Sequence, residues 1–214
     1  MPFKKLTTAP TTEPLTNAEV KTHGRIDGTA EDAYIDTLIE AARQLFERES
    51  GVSLVTQNWT VWYDTPPVRC GIADEWWDGV RDGARVETVV NHLDLPVYPI
   101  QSVAAVNSYG TDNAATVFAS TNYFLDSVTQ PGRLVLNQGS NWPTGLRAAN
   151  ALSIELVAGY GDNASDVPAE IRHALKMAVL HWYKTRGDCA SQKQVDAALK
   201  IIAPTLHKFR QVRL

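Results

Sequence analysis

The sequence predicts an α+β fold, in which a helical bundle with two helices near each end of the chain carries an inserted antiparallel β-domain of about six strands. Three observations carry that class. Apolar residues recur on a 3.6-residue period from Leu15 to Gly51 and again from Ile171 to Leu206. Between Val52 and Gly161 the period falls to two and the residues become β-branched and aromatic. No helical stretch separates these strands, which argues against parallel βαβ crossovers. At 214 residues, 44% of them hydrophobic, the chain is long enough to bury a sizeable core and too apolar for a disordered one.

The elements follow in order. Residues 1–14, rich in Thr and Pro and without an apolar period, read as an extended N-terminal arm. Residues 15–51 carry the first two bundle helices. Thr16 with Glu19 forms a capping box ahead of a short helix over about Asn17 to His23, which Gly24 weakens. Thr29 with Asp32 marks the second start, and Ile35, Leu38, Ile39, Ala42, Leu45 and Phe46 give one apolar face until Gly51 stops the helix.

Residues 52–163 form the inserted β-domain, with strands expected in VSLVTQNWTVWYD, RVETVVNHLDLP, IQSVAAVNSY, TNYFLDS, GRLVLN and ALSIELVAGYG. Gly, Pro, Asn and Asp clusters between them suggest a sandwich or a barrel-like sheet. Residues 65–84 have no clean period and are too long for an ordinary hairpin, so they are expected as a long loop. Trp76 and Trp77 lie in it, either folded back over the sheet or serving as an intersubunit contact loop, since aromatic anchors dominate interface energetics.

Residues 164–190 hold the third helix. Asp166 or Val167 is expected to cap it, Pro168 sits near the first position, Glu170 lies where the dipole favours an anion, and Gly187 ends it. Residues 191–214 hold a last apolar stripe, Val195, Ala198, Leu199, Ile202 and Leu206, in which Pro204 is expected to force a kink or a stop. Beyond it, Lys208, Arg210 and Arg213 alternate with Phe209, Val212 and Leu214. That segment reads as an anchor into a partner protein, as an arm against DNA, or as a frayed terminus.

Chemistry-bearing motifs are missing: the sequence has no P-loop, dinucleotide-binding, zincin or nucleophile-elbow pattern. His173 and His181 lie eight residues apart, about 80° around a helix, too divergent for one metal ion. Asp162, Asn163 and Asp166 lack the alternation and distal Glu of a calcium loop and read as turn and cap residues. Cys70 and Cys189 are too few for a disulfide framework. No catalytic residue, metal ligand or cofactor is assigned. The formal charge of −4 draws no DNA or anionic membrane to the whole surface. The N-terminus lacks the apolar core of a signal peptide and no stretch is long enough to span a bilayer, so a cytoplasmic origin and no membrane partner are expected.

The order of the pieces resembles a known family, the head-tail connector or adaptor proteins of tailed bacteriophages and of phage-derived gene transfer particles. The resemblance rests on Pro14-Leu15-Thr16 with Glu19, Lys21, His23, Arg25 and Ile26, then Ala41-Ala42-Arg43 leading to Gly51. It continues through Gln57 and Trp59, Leu95-Pro96, Pro99-Ile100-Gln101-Ser102-Val103, Tyr123 with Asp126, Trp142-Pro143 and Ala158-Gly159-Tyr160-Gly161. Val167-Pro168 with Ile171, and His181-Trp182-Tyr183, complete it up to a Leu-rich end closing near Arg210. Gly24 departs from it, standing where a bulky apolar residue is expected.

The resemblance implies a structural protein of the virion neck without catalytic residues. It implies a ring, commonly of twelve copies, beneath the portal protein, extending a channel through which double-stranded DNA passes without specific binding, and a platform for a stopper or tail-completion protein. It also implies that the terminal segment, Lys208, Phe209, Arg210, Val212, Arg213 and Leu214, docks to the portal. Another neck or tail-completion protein is the alternative within that assembly. From a different class, a small hydrolase or ligand-binding β-domain with helical flanks is the rival.

Overall fold

The computed structural model describes residues 2–72, 85–186 and 191–209. The chain divides into two compact units, one of residues 6–59, 97–101 and 157–214, the other of residues 1–5, 60–96 and 102–156. Among the described residues no helix is long and apolar enough to cross a membrane.

The first unit is helical: α1 (Asn17–Gly24), α2 (Asp32–Ser50), α3 (Ala169–Lys184) and α4 (Ser191–Phe209). α1 starts as its sequence dictates. The Thr16 hydroxyl accepts the Glu19 N–H while the Glu19 carboxylate accepts the Thr16 N–H. Gly24 ends α1 tightly against α3, since a Cβ there would stand 2.5 Å from Leu180 Cδ2.

Helix boundaries differ from expectation at the caps. α2 starts at Asp32 with Glu31, not Thr29, in the cap position, and Glu31 gives no side-chain bond to the helix because Tyr183 and Arg186 occupy its carboxylate. Gly51 closes α2 in the left-handed conformation, φ 76°, as predicted. Neither Asp166 nor Val167 caps α3. Asp166 instead completes a capping box with Asn163 around the short 3-10 turn Ala164–Asp166, and Pro168 holds the cap position.

Of the kink or stop expected at Pro204, the stop does not occur; the helix runs through it from Ser191 to Phe209. Pro204 is exposed, so its missing donor and bulky ring fall on the solvent side. Ala198, Ile202 and Leu206 on the other side are buried in the helical core with Ile35, Ile39, Phe46, Ile171 and Leu175. Burial of that face outweighs the local preference of one proline.

Residues 158–161, Ala-Gly-Tyr-Gly, explain themselves in three dimensions. The Tyr160 N–H donates to the Leu54 carbonyl, the Thr56 N–H to the Gly161 carbonyl and the Gly159 N–H to the Pro99 carbonyl. Gln101 Nε2 donates to both the Gly159 carbonyl and Thr56 Oγ1, at 2.9 Å each. Gly159 sits at φ 145°, and a Cβ there would lie 2.5 Å from the Thr56 nitrogen and the Val55 carbonyl carbon. Only glycine fits a backbone crossing that close.

The strands are β1 (Phe3–Thr8), β2 (Gln57–Tyr63), β3 (Val68–Ile72), β4 (Arg85–Val89), β5 (His92–Asp94), β6 (Ile100–Tyr109), β7 (Ala115–Val117), β8 (Tyr123–Asp126), β9 (Arg133–Leu136) and β10 (Leu152–Ala158). They form a five-stranded sheet of order β1-β2-β10-β6-β7, a three-stranded sheet of order β5-β9-β8 and the pair β3-β4. Registers in the pairs β3-β4, β5-β9, β8-β9 and β6-β7 are all antiparallel.

Among the described residues ten strands stand where about six were expected, in part for local reasons. RVETVVNHLDLP breaks into β4 and β5 around Val90 and Asn91, and the start of the expected loop 65–84 pairs as β3. The arm's Phe3–Thr8 is extended as predicted but joins a sheet edge. Residues 73–84, with Trp76 and Trp77, lie outside the described residues. In the second unit Val61, Leu93, Val106, Leu134, Ile154 and Leu156 are buried, and Phe118 stacks against both Tyr123 and Trp142.

Two outcomes follow from this packing. Gly159→Ala forces both a positive φ and a backbone clash, and is expected to lower unfolding stability by about 3 kcal/mol or to prevent folding. Urea denaturation reads it. Pro204→Ala restores a helix donor on the exposed face and is expected to raise stability by up to about 3 kcal/mol, whereas a true break at Pro204 would leave the midpoint unmoved.

Candidate assembly surface

The candidate surface begins at the last turn of α4. Lys208 Nζ lies 2.8 and 2.7 Å from the two carboxylate oxygens of Glu170 in the first turn of α3. Each charge sits at the helix end whose dipole favours it. Both side chains are more than half exposed, so the pair contributes only about 0–1 kcal/mol and serves chiefly to fix direction. Phe209 packs, partly buried, against the helical core. The described part of the predicted docking segment is therefore folded onto its own bundle. Arg210, Val212, Arg213 and Leu214 lie outside the described residues.

Two further clamps join helix ends, and the sequence reading assigned them no such role. Glu31, at the cap of α2, accepts bonds from Tyr183 Oη and from an Arg186 guanidinium nitrogen just beyond α3. The Arg186 guanidinium also lies over the Tyr183 ring, 4.7 Å from its centroid. Glu19, already used by the α1 cap, receives Arg172 of α3. His23 of α1 meets His173 of α3 edge to face at 5.8 Å. The capping box made Glu19 visible in the sequence, but partners about 150 residues away left no local signal.

A shallow groove runs along α1 and the start of α2. It is lined by Asn17, Lys21, Arg25, Asp27, Asp32 and Asp36. Lys21 pairs with Asp32 at 2.7 Å and Asn17 Nδ2 donates to Asp36 at 2.9 Å, so these polar groups answer one another. Among the described residues no cluster of three or more His, Cys, Asp or Glu side chains could hold a metal ion.

The shifted carboxyls follow from the clamps. Glu31 is held below its ordinary value of 4.5 by the bonds from Tyr183 and Arg186, and Glu19 below the same value by the Thr16 N–H and Arg172. A lowered folded-state value adds stability that is present above the unfolded value and lost as pH falls through the folded one. Thermal unfolding temperature is thus expected to fall once pH drops below 4.5. The double variant Glu19→Gln/Glu31→Gln should unfold at a lower temperature at neutral pH and show a shallower acid limb; an unchanged acid limb would contradict the assignment.

Comparison with known proteins bears on what such a unit is for. Residues 16–77, which cover α1, α2 and the first strands of the β-region, match the family described as phage gp6-like head-tail connector protein. No curated protein sequence matches the chain. Solved structures do. A chain in the neck of an empty GTA particle computed with C6 symmetry superposes with TM-score 0.72 at 18% identity, covering 99% of this chain and 97% of that one. A chain in the virion of the native gene transfer agent (GTA) particle gives 0.67 at 19% identity, with the same coverage. A third, in the neck of the native particle computed with C12 symmetry, gives 0.63 at 20% identity, again covering 99% and 97%. The α+β architecture predicted from the sequence, helices at both ends and strands between, is the architecture these chains share. The chain carries a phage head-tail connector signature over residues 16–77 and, over nearly its whole length, the fold of a protein of gene transfer agent necks.

Proposed function

We propose that this protein is a non-enzymatic head-tail connector of the virion neck in a tailed phage or phage-like particle. It assembles as a homo-oligomeric ring, dodecameric when complete, under the portal protein, where it extends the DNA channel and seats a stopper or tail-completion protein. The observation that supports this reading most is the likeness of 99% of the chain to proteins of neck particles computed with C6 and C12 symmetry. The connector match over residues 16–77 favours a connector over another neck or tail-completion protein. The net charge of −4 suits a channel that lets double-stranded DNA pass without holding it.

In this reading the terminal segment is the portal-docking arm. Lys208 and Phe209 fix where the chain leaves the bundle, and Arg210, Val212, Arg213 and Leu214 reach the portal, apolar side chains alternating with cationic stems. Trp76 and Trp77 supply an intersubunit contact. Purified portal protein tests the arm. Truncation after Phe209 should weaken binding at least tenfold while leaving the unfolding midpoint unchanged, because the described core keeps all its residues. Full-strength portal binding by the truncated chain would remove the arm from the mechanism.

A further inference from the structure

The five-stranded sheet ends in β1 on one side and β7 on the other. All six residues of β1 are exposed, with Phe3 63% and Leu6 38% accessible. All three residues of β7 are exposed too, Val117 at 71%. An edge strand presents a row of backbone donors and acceptors, and natural proteins seldom leave such an edge open with apolar side chains on it. β1 gains almost nothing from side-chain burial within its own chain. The two edges also differ in charge: residues 2–8 contain Lys4 and Lys5 and no acid, whereas residues 110–121 contain Asp112 and no Lys or Arg.

We propose that β1 of one copy pairs with the β7 edge of the next, so that one sheet continues from subunit to subunit. The inference deepens the ring reading above and rests on it. A closed ring of identical copies needs two different, mutually complementary surfaces on each copy, and opposite edges of one sheet are such a pair. The backbone supplies strand addition, Phe3, Leu6 and Val117 supply apolar contact, and the lysines of β1 face the side that carries Asp112. Pairing of β1 with β1 would instead close a two-fold dimer and stop there.

The test uses the full chain with Cys70→Ser and Cys189→Ser, carrying Lys5→Cys, Thr116→Cys or both, mixed with portal protein and treated with a short bismaleimide. The double variant is expected to give a ladder of dimers, trimers and larger products, and each single variant none. Dimers from Lys5→Cys alone would overturn the proposal. So would the absence of a ladder while the wild-type chain forms rings by electron microscopy, an outcome that leaves the ring reading standing. Wild-type chain that forms no rings and a double variant that gives no ladder would remove both. As a second arm, deletion of residues 2–8 should leave the unfolding midpoint in place and reduce ring formation at least tenfold; undiminished rings would overturn the edge contact.

Discussion

The helical unit depends on one buried charge cluster. Arg43, with its side chain only 5% accessible, donates through Nε and one terminal nitrogen to Glu13, at 2.8 and 3.1 Å, and through the other to Glu47 at 3.1 Å. Glu47 also accepts the Leu54 N–H and Gln57 Nε2, both at 2.8 Å. Three segments meet there: the N-terminal stretch, α2 and the turn from helix into β2. Burial pushes Glu47 up, and its three donors draw it only partly back; Arg43 is raised because Glu13 and Glu47 outweigh the opposing pull of burial. A raised carboxyl adds stability on the acid side and loses it as pH rises, the reverse of Glu19 and Glu31. Losing one member of such a buried pair costs about 3–5 kcal/mol, because the other charge is left without a partner.

Around that cluster and the apolar core, polar pairs fix the helix ends. Glu31 with Tyr183 and Arg186, Glu19 with Arg172, and Lys208 with Glu170 each tie two helices together near a terminus. These contacts fix helix ends where exposed pairs cost little and add little. In the groove along α1 Lys21 pairs with Asp32 and Asn17 with Asp36, and the lowered carboxyls Glu19 and Glu31 each have a named structural partner.

Much of this was legible in the sequence, and the failures have physical causes. The capping box at Thr16, the stop at Gly51 and the apolar face of α2 depend on neighbours within a turn, so the local pattern determined them. No stop occurs at Pro204 because the proline's local penalty competes with the burial of Ile202 and Leu206 beside it. Asp166 lost its expected role to an alternative partner, Asn163, and Glu31 rather than Thr29 took the cap position of α2. Of the candidate surface, Lys208 and Phe209 could be singled out by type, but their engagement by α3 and the helical core depends on folding that no spacing reveals. Gly159 was visible only as part of a resemblance; the backbone crossing at residues 55 and 56 supplies its reason.

The central claim is that the protein acts by shape and mutual fit at a particle's neck. Electron cryomicroscopy of DNA-filled heads lacking this protein, before and after its addition, measures that most directly. The account predicts a new ring of density continuous with the portal channel and a rise in the fraction of heads that keep their DNA. Heads that bind no ring, retain their genome and accept tails equally well without the protein would contradict it.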